Sequence, residues 1–257
     1  MRLALILALV SSLQIFQQSS VDPRQFGTIW QASLVTAAFP IGKFAATCFL
    51  SFNEVKLHAE LDRCARLLVF GALVSAIPFF RTIFAFSGRF VMGYSAGSGF
   101  VCAPAVLRLA VPESMRPANF LFLAAAFSMG TFLANLMFLM KNWLSPTFCA
   151  AGLTAMAGIL YLFLRPDEYP IEECTETISI DDSTCPPEPT KSSNPVLFVF
   201  ILMVVNVSIG VPLMQTYSTL IFTYYGISET GALIFSICYP LFQFVPVVIS
   251  TRVNVSR

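Results

Sequence analysis

Charged side chains are scarce in this chain. Only 11% of its 257 residues are Asp, Glu, Lys or Arg, there is a single histidine, and the formal net charge is +1. Nucleic-acid-binding domains carry basic surfaces, so this balance gives no support to a nucleic-acid partner. Hydrophobic residues instead make up 56% of the chain and its mean hydropathy is +0.76. A water-soluble domain of this length does not need so much apolar surface, and we therefore predict a membrane protein with the lipid bilayer as its solvent.

Groupings typical of catalysis and metal binding are lacking as well. The sequence shows no Ser/His/Asp set, no phosphate-binding loop and no CxxC pair with zinc spacing. Its seven cysteines are scattered, mostly within or beside apolar runs, and form no dense disulfide framework. We expect no enzyme, no metal and no cofactor. Most cysteines are interpreted as small apolar packing residues, and Cys174 and Cys185, which lie in a polar segment, as free thiols.

Eight apolar segments are close to the length of about 20 residues that a bilayer-spanning helix requires. They cover approximately 2–20, 28–50, 64–80, 84–110, 118–140, 146–164, 195–222 and 230–251. The predicted fold class is therefore all-α and polytopic. The first segment has two interpretations. Arg2 followed by an apolar run and serines resembles a secretory signal, whereas Ser11, Gln14 and Gln18 share one helical face, as in a span that lines a polar cavity.

Positive charge predicts the orientation of these segments. With the N-terminus in the cytoplasm, ten Lys and Arg residues fall on the inner side and three on the outer side, while Lys43 and Arg89 lie within or near spans. The polar segment 165–194 carries eight carboxylates, two basic residues and five prolines, and is predicted to be a cytoplasmic linker. The domains are then a six-helix bundle over 1–164, the linker over 165–194, and two further helices over 195–257.

Glycines are concentrated in the fourth segment. Gly88, Gly93, Gly97 and Gly99 follow one another within twelve residues. Glycine costs about 1 kcal/mol relative to alanine in a helix interior, but small residues four apart let membrane helices approach closely. We expect these glycines to be helix-packing positions.

The arrangement of six spans, a polar linker and further spans resembles the major facilitator superfamily, and in particular its facilitative sugar transporters. In that family the fourth span opens G-R-[FL]-x-x-G and ends S-P-x-x-x-R-G. This chain reads Gly88-Arg89-Phe90-Val91-Met92-Gly93 and then Val111-Pro112-Glu113-Ser114-Met115-Arg116-Pro117. The family's seventh span is echoed by Gly210 and by the run Thr216-Tyr217-Ser218-Thr219-Leu220-Ile221-Phe222. The resemblance implies facilitative, alternating-access transport of a hexose or similar small solute, in the plasma membrane.

The same resemblance implies a set of gating residues. Family arginines at the cytoplasmic helix ends pair with carboxylates and lock one state of the carrier; here Arg116 matches one of them, and Asp62, Arg63 and Arg66 partly match another motif. The match is incomplete, because Leu109 replaces a glutamate and Ala65 replaces a glycine. For Arg89 two roles are open: a structural anchor that snorkels or pairs with a neighbouring helix, and a direct role in transport.

The sugar-binding positions of the family are mostly replaced. Ala124 stands where the family has a glutamine, and Pro212 where it has an asparagine. We therefore expect a solute other than glucose. Polar residues with helical spacing offer a substitute cavity lining, and they are interpreted either as solute-binding residues or as interhelical hydrogen bonds. The candidates are Ser128, Thr131 and Asn135 on the fifth span and Asn206, Gln215 and Tyr217 on the seventh, with Gly210 as a packing position.

Length is the other departure, because the family has twelve spans and this chain has eight. Three hypotheses follow: a sugar-porter-type carrier represented by a chain truncated after the eighth span, an eight-span product that acts by pairing with a full-length relative, and a membrane receptor or scaffold. We expect uniport, since we see no buried carboxylate in the spans positioned to carry a coupling proton. Lys43, within its span, is expected to face protein or water, and His58 to be solvated in a charged loop.

Overall fold

The computed structural model describes residues 2–11, 26–53, 55–139, 146–166, 221–228 and 230–238. Within these ranges six helices form a bundle, and helical turns also occur at 221–224 and 230–238. The six are α1 (Arg2–Val10), α2 (Ile29–Phe52), α3 (Leu57–Ser75), α4 (Arg81–Ala110), α5 (Arg116–Leu139) and α6 (Pro146–Leu164). Four of the predicted segments agree with α2, α4, α5 and α6 to within three residues at each end.

Helix α4 is the centre of this bundle. It packs most extensively against α2 and α3, and it also contacts α1 and α5, while α3 packs against α6. The main hydrophobic core joins residues of α1 to α6; its fully buried members include Leu7, Phe39, Leu61, Leu68, Leu107 and Tyr161.

The glycines of α4 explain how one helix contacts three neighbours so closely. A Cβ atom on Gly93 would collide with the Phe39 carbonyl of α2. A Cβ atom on Gly97 would lie 2.9 Å from the Cα atom of Lys43, which is also on α2. A Cβ on Gly88 would lie 2.5 Å from the Ser75 nitrogen of α3, and Gly99 lies against the backbone of α1. Only hydrogen fits at these four positions, which allows backbone-to-backbone approach.

Helix α1 is part of the packed bundle. Ala4, Leu7, Ala8 and Val10 are fully buried, and the Val10 carbonyl lies against Gly99 of α4. The span and the cleaved signal both stay predictions for the segment 2–20, of which the structure describes residues 2–11. Gln14 and Gln18 lie outside the described residues.

The boundaries predicted for the third segment are wrong. Helix α3 begins at Leu57 and ends at Ser75, rather than covering 64–80. Its first two turns take in the charged residues that were expected in a loop, including His58, and Pro78 follows its end, as proline commonly does. The error arose because hydropathy detects only the apolar half of a helix whose other half carries paired charges.

Three helical stretches of the described residues are long and apolar enough to cross a membrane by length and composition: Trp30–Phe52, Arg81–Ala110 and Glu113–Met137. Helix α2 carries large apolar side chains that are exposed, namely Trp30, Leu34, Ile41, Phe44 and Phe52. An exposed stripe of this kind suits lipid contact. The chain is an all-α polytopic membrane protein. The predicted linker beyond residue 166, and the two final segments apart from 221–222 and 230–238, lie outside the described residues.

Candidate functional site

Helix α5 carries buried polar side chains, and one of them contacts the 230–238 helix. Ser128, Thr131 and Asn135 are all buried, and Thr131 is only 1% exposed. Asn135 Nδ2 donates a hydrogen bond of 2.5 Å to the Ser236 carbonyl in the 230–238 helix. This face of α5 is therefore turned towards a helix that follows the linker in sequence.

The two hydroxyls of this α5 face are satisfied within their own helix. Ser128 Oγ donates to the Ala124 carbonyl at 3.4 Å, and Thr131 Oγ1 donates to the Phe127 carbonyl at 3.3 Å. A hydroxyl that donates in this way keeps its oxygen lone pairs for a further donor. These groups can accept hydrogen bonds from a solute without leaving a helix carbonyl unpaired. The candidates on the seventh segment, Asn206, Gly210, Gln215 and Tyr217, lie outside the described residues.

A second polar grouping, the charge cluster, lies where α3 begins and α6 ends. Asp62 Oδ2 forms an ion pair with Nη1 of Arg165, the residue that immediately follows α6. The same Asp62 oxygen lies 3.9 Å from His58 Nδ1. His58 is thus half-buried within α3, rather than solvated in a loop. The Asp62 pair joins the beginning of one helix to the end of another and holds these two helix ends together.

The same cluster contains a buried carboxylate. Glu60 is 4% exposed, and its Oε1 accepts a hydrogen bond of 2.8 Å from Arg63 Nη2. Arg63 Nη2 also donates to the Tyr94 hydroxyl of α4 at 3.1 Å, and the guanidinium lies 5.0 Å from the centre of the Phe49 ring of α2. One arginine therefore connects α2, α3 and α4. Glu60 thus lies within a helix and not in a loop, because α3 begins earlier than hydropathy indicates.

The other predicted gating residues do not bond the carboxylates of this cluster. Arg66 is exposed, and its Nε donates a hydrogen bond of 3.3 Å to the Asp62 backbone carbonyl rather than to the Asp62 carboxylate. Arg116 Nε donates 3.0 Å to the Val111 carbonyl and braces the turn between α4 and α5.

Arg89 lies on α4, five residues before Tyr94. It is 1% exposed, its Nε donates 3.1 Å to the Val35 carbonyl of α2, and its guanidinium lies 5.9 Å from the centre of the Phe39 ring. These contacts join Arg89 to the neighbouring helix α2, and a direct role of Arg89 in transport stays a prediction.

Sequence reasoning missed several members of these sites. Glu60 and Tyr94 were not candidates, and Arg165 was counted only as an inner-side charge. The spacing of Glu60 and Arg63, three residues apart, is a signal for a helical ion pair, but only if the helix is extended back to residue 57. The contacts of Tyr94 and Arg165 join separate helices, and no local pattern marks them.

The described part of the chain contains no group of three His, Cys, Asp or Glu side chains arranged to hold a metal ion. Its polar sites are instead made of hydroxyls, an amide and ion pairs. Such groups bind and release a solute, and the ion pairs can break and re-form as helices move.

Neither a protein-family model nor a curated protein sequence matches this chain. Among solved structures, the chain is similar to the crystal structure of a D-xylose-proton symporter, with a TM-score of 0.64 and 16% sequence identity. The match covers 93% of this chain and 65% of that chain, so this chain spans just under two thirds of the symporter's length. At this identity the similarity shows the fold alone: the helices of this chain are arranged as in the matched part of that symporter.

Proposed function

We propose that this protein carries a small polar solute, a sugar or a related compound, across a membrane by facilitative alternating access. The single observation that carries the proposal is the fold shared with a sugar transporter over 93% of the chain. The buried polar face of α5 supports it, because Asn135 brings that face against the part of the chain that follows the linker. Carriers of this kind bind their solutes between two halves that rock around a central site.

The charge cluster is proposed to act as a gate at the cytoplasmic side. The excess of positive charge on one side of the bundle supports this orientation, with the N-terminus and the linker 165–194 in the cytoplasm. The pair of Asp62 with Arg165 joins two helix ends, which the proposed orientation puts at that side. We propose that Asp62, Arg63, Arg66 and Arg116 bias the carrier towards one of its states, and that Arg89 holds α2 against α4.

A second candidate is a non-transporting partner of a full-length relative. In that case this chain alone would bind a solute without taking it up.

The test is uptake by sealed vesicles that contain this chain alone. We expect saturable uptake of at least one labelled compound from a panel of pentoses, hexoses, polyols and organic acids, and exchange in both directions. A protonophore should leave the initial rate unchanged, because Glu60 and Asp62 are ion-paired in the charge cluster and Glu113, the other described carboxylate, is exposed just before α5. Uptake that collapses with the proton gradient contradicts uniport. Uptake that appears only when a full-length relative is added supports the second candidate.

A further inference from the structure

Lys43 places an ammonium group in the middle of a membrane-spanning helix. It is residue 15 of the 24 in α2, and its Cα lies against Gly97 of α4. Its Nζ lies 5.0 Å from the centre of the Phe39 ring, one turn back towards the helix midpoint. The side chain is thus turned away from the nearer end of α2 at Phe52, and it does not use its length to reach the closer membrane surface.

The position of Lys43 around the helix also excludes lipid contact. At about 100° per residue, it lies about 150° from the centre of the exposed apolar stripe of α2. It belongs instead to a second stripe, the α2 polar stripe, in which residues follow at intervals of four, three and four: Thr36, Pro40, Lys43 and Thr47. Pro40 and Thr47 are exposed, and Thr36 and Lys43 are half-buried. A polar stripe at this depth must face protein or water, since lipid offers no hydrogen bonds.

The α2 polar stripe offers oxygen atoms that can accept hydrogen bonds, except at Lys43. The hydroxyls of Thr36 and Thr47 donate to carbonyls of their own helix, at 2.8 and 3.0 Å, and keep their lone pairs. Pro40 has no N–H group, so the helical hydrogen bond to the Thr36 carbonyl is missing. Lys43 contributes three donors and a full positive charge, and no described residue accepts a hydrogen bond from its Nζ.

A charged group within a span costs several kcal/mol unless it has a partner. Two carboxylates of the described helix α3, Glu60 and Asp62, are already paired with Arg63 and Arg165. An anion from outside the chain would supply a counter-charge for Lys43.

We propose that Lys43 Nζ binds the carboxylate of the carried solute, so that the substrate class is small hydroxylated organic acids rather than uncharged sugars. This inference rests on the proposed transport function. The carboxylate would accept hydrogen bonds from the ammonium, while hydroxyls of the same molecule would donate to the oxygens of the α2 polar stripe.

The test compares matched pairs of compounds that differ in one charged group. The full chain is purified in lipid nanodiscs, and its apparent melting temperature is measured with gluconate against sorbitol, lactate against 1,2-propanediol, and succinate against 1,4-butanediol. We expect at least one carboxylate to raise the melting temperature at lower concentration than its alcohol. In Lys43→Gln the half-saturating concentration of that carboxylate should rise roughly ten- to a hundredfold. Lys43→Arg should retain most of the effect, and Lys56→Gln, at an exposed lysine just before α3, should behave as the wild type.

Equal stabilisation by acids and alcohols, or an unchanged response in Lys43→Gln, overturns the proposal. If Lys43→Gln does not fold, the acid and alcohol pairs still decide it in the wild type and in Lys43→Arg, because both proteins keep the charge and should respond to the acid alone. Vesicle uptake separates this inference from the proposed function. Uptake of the alcohols without the acids contradicts the anion site and leaves transport standing, whereas Lys43-dependent acid binding without uptake contradicts transport and leaves the site standing.

Discussion

Gly93 and Gly152 are both glycines inside apolar helices, but their surroundings differ. A Cβ on Gly93 would meet the backbone of Phe39, whereas one on Gly152 in α6 would meet nothing within 4 Å. Backbone atoms cannot move aside as a flexible side chain does, so the two positions should respond differently to the same added methyl group.

We expect Gly93→Ala to lower the free energy of unfolding by about 1–3 kcal/mol, the usual cost of overpacking. Gly152→Ala should be neutral or stabilising by up to about 1 kcal/mol, because alanine is the better helix former. Chemical unfolding in detergent measures both. Equal effects of the two substitutions would mean that α2 and α4 are not in backbone contact at Gly93.

At the same scale, the ion pair of Asp62 with Arg165 predicts a measurable coupling. In a double-mutant cycle of Asp62→Asn and Arg165→Gln, we expect a coupling of about 1 kcal/mol, since the pair is partly solvated and screened. The control cycle uses Arg66→Gln, because Arg66 bonds the Asp62 carbonyl and not its carboxylate. A coupling to Arg66 as large as that to Arg165 would contradict the observed pairing.

Helix α5 carries its solute-binding candidates on a face whose hydroxyls are bonded within the helix. Removal of such a hydroxyl leaves an ordinary apolar side chain and creates no unpaired donor, so function and stability can be separated there. Helix α6 offers a matched position, since Thr154 is also buried and its Oγ1 donates 2.7 Å to the Ala150 carbonyl.

We expect Thr131→Val to raise the half-saturating solute concentration for uptake about tenfold while the melting temperature changes little, because one hydrogen bond to the solute is lost. Thr154→Val should change neither quantity strongly. Initial uptake rates over a range of solute concentrations provide the measurement. An unchanged half-saturating concentration in Thr131→Val would remove Thr131 from the solute path.

For the whole molecule, the contact of Asn135 with Ser236 joins residues 101 apart in the sequence. Alternating access requires the two parts of a carrier to move relative to each other. A covalent link across this contact should therefore stop uptake without unfolding the protein.

We expect a short reducible crosslinker between Asn135→Cys and Ser236→Cys to lower the initial uptake rate at least tenfold. A reductant should restore the rate, and each single variant treated in the same way should keep it. If the linked protein transports at the full rate, the two parts do not separate at this contact during the cycle.

The sequence by itself determined the class of the protein and most of its helices. Hydropathy is a property of each segment alone, and it was sufficient for α2, α4, α5 and α6. The spacing of small residues likewise marked α4 as a helix that neighbours approach closely. The beginning of α3 was missed because paired charges lower hydropathy without ending a helix.

Only the tertiary structure decided which polar groups meet. The contacts of Asp62 with Arg165, of Arg63 with Tyr94 and of Asn135 with Ser236 each join separate helices. Such contacts depend on how each helix is rotated and how it crosses its neighbours, and the sequence of one helix does not encode the rotation of another. For the same reason Lys43 was recognised from the sequence as an unusual residue in a span, but its place over the Phe39 ring came from the packing of α2 against α4.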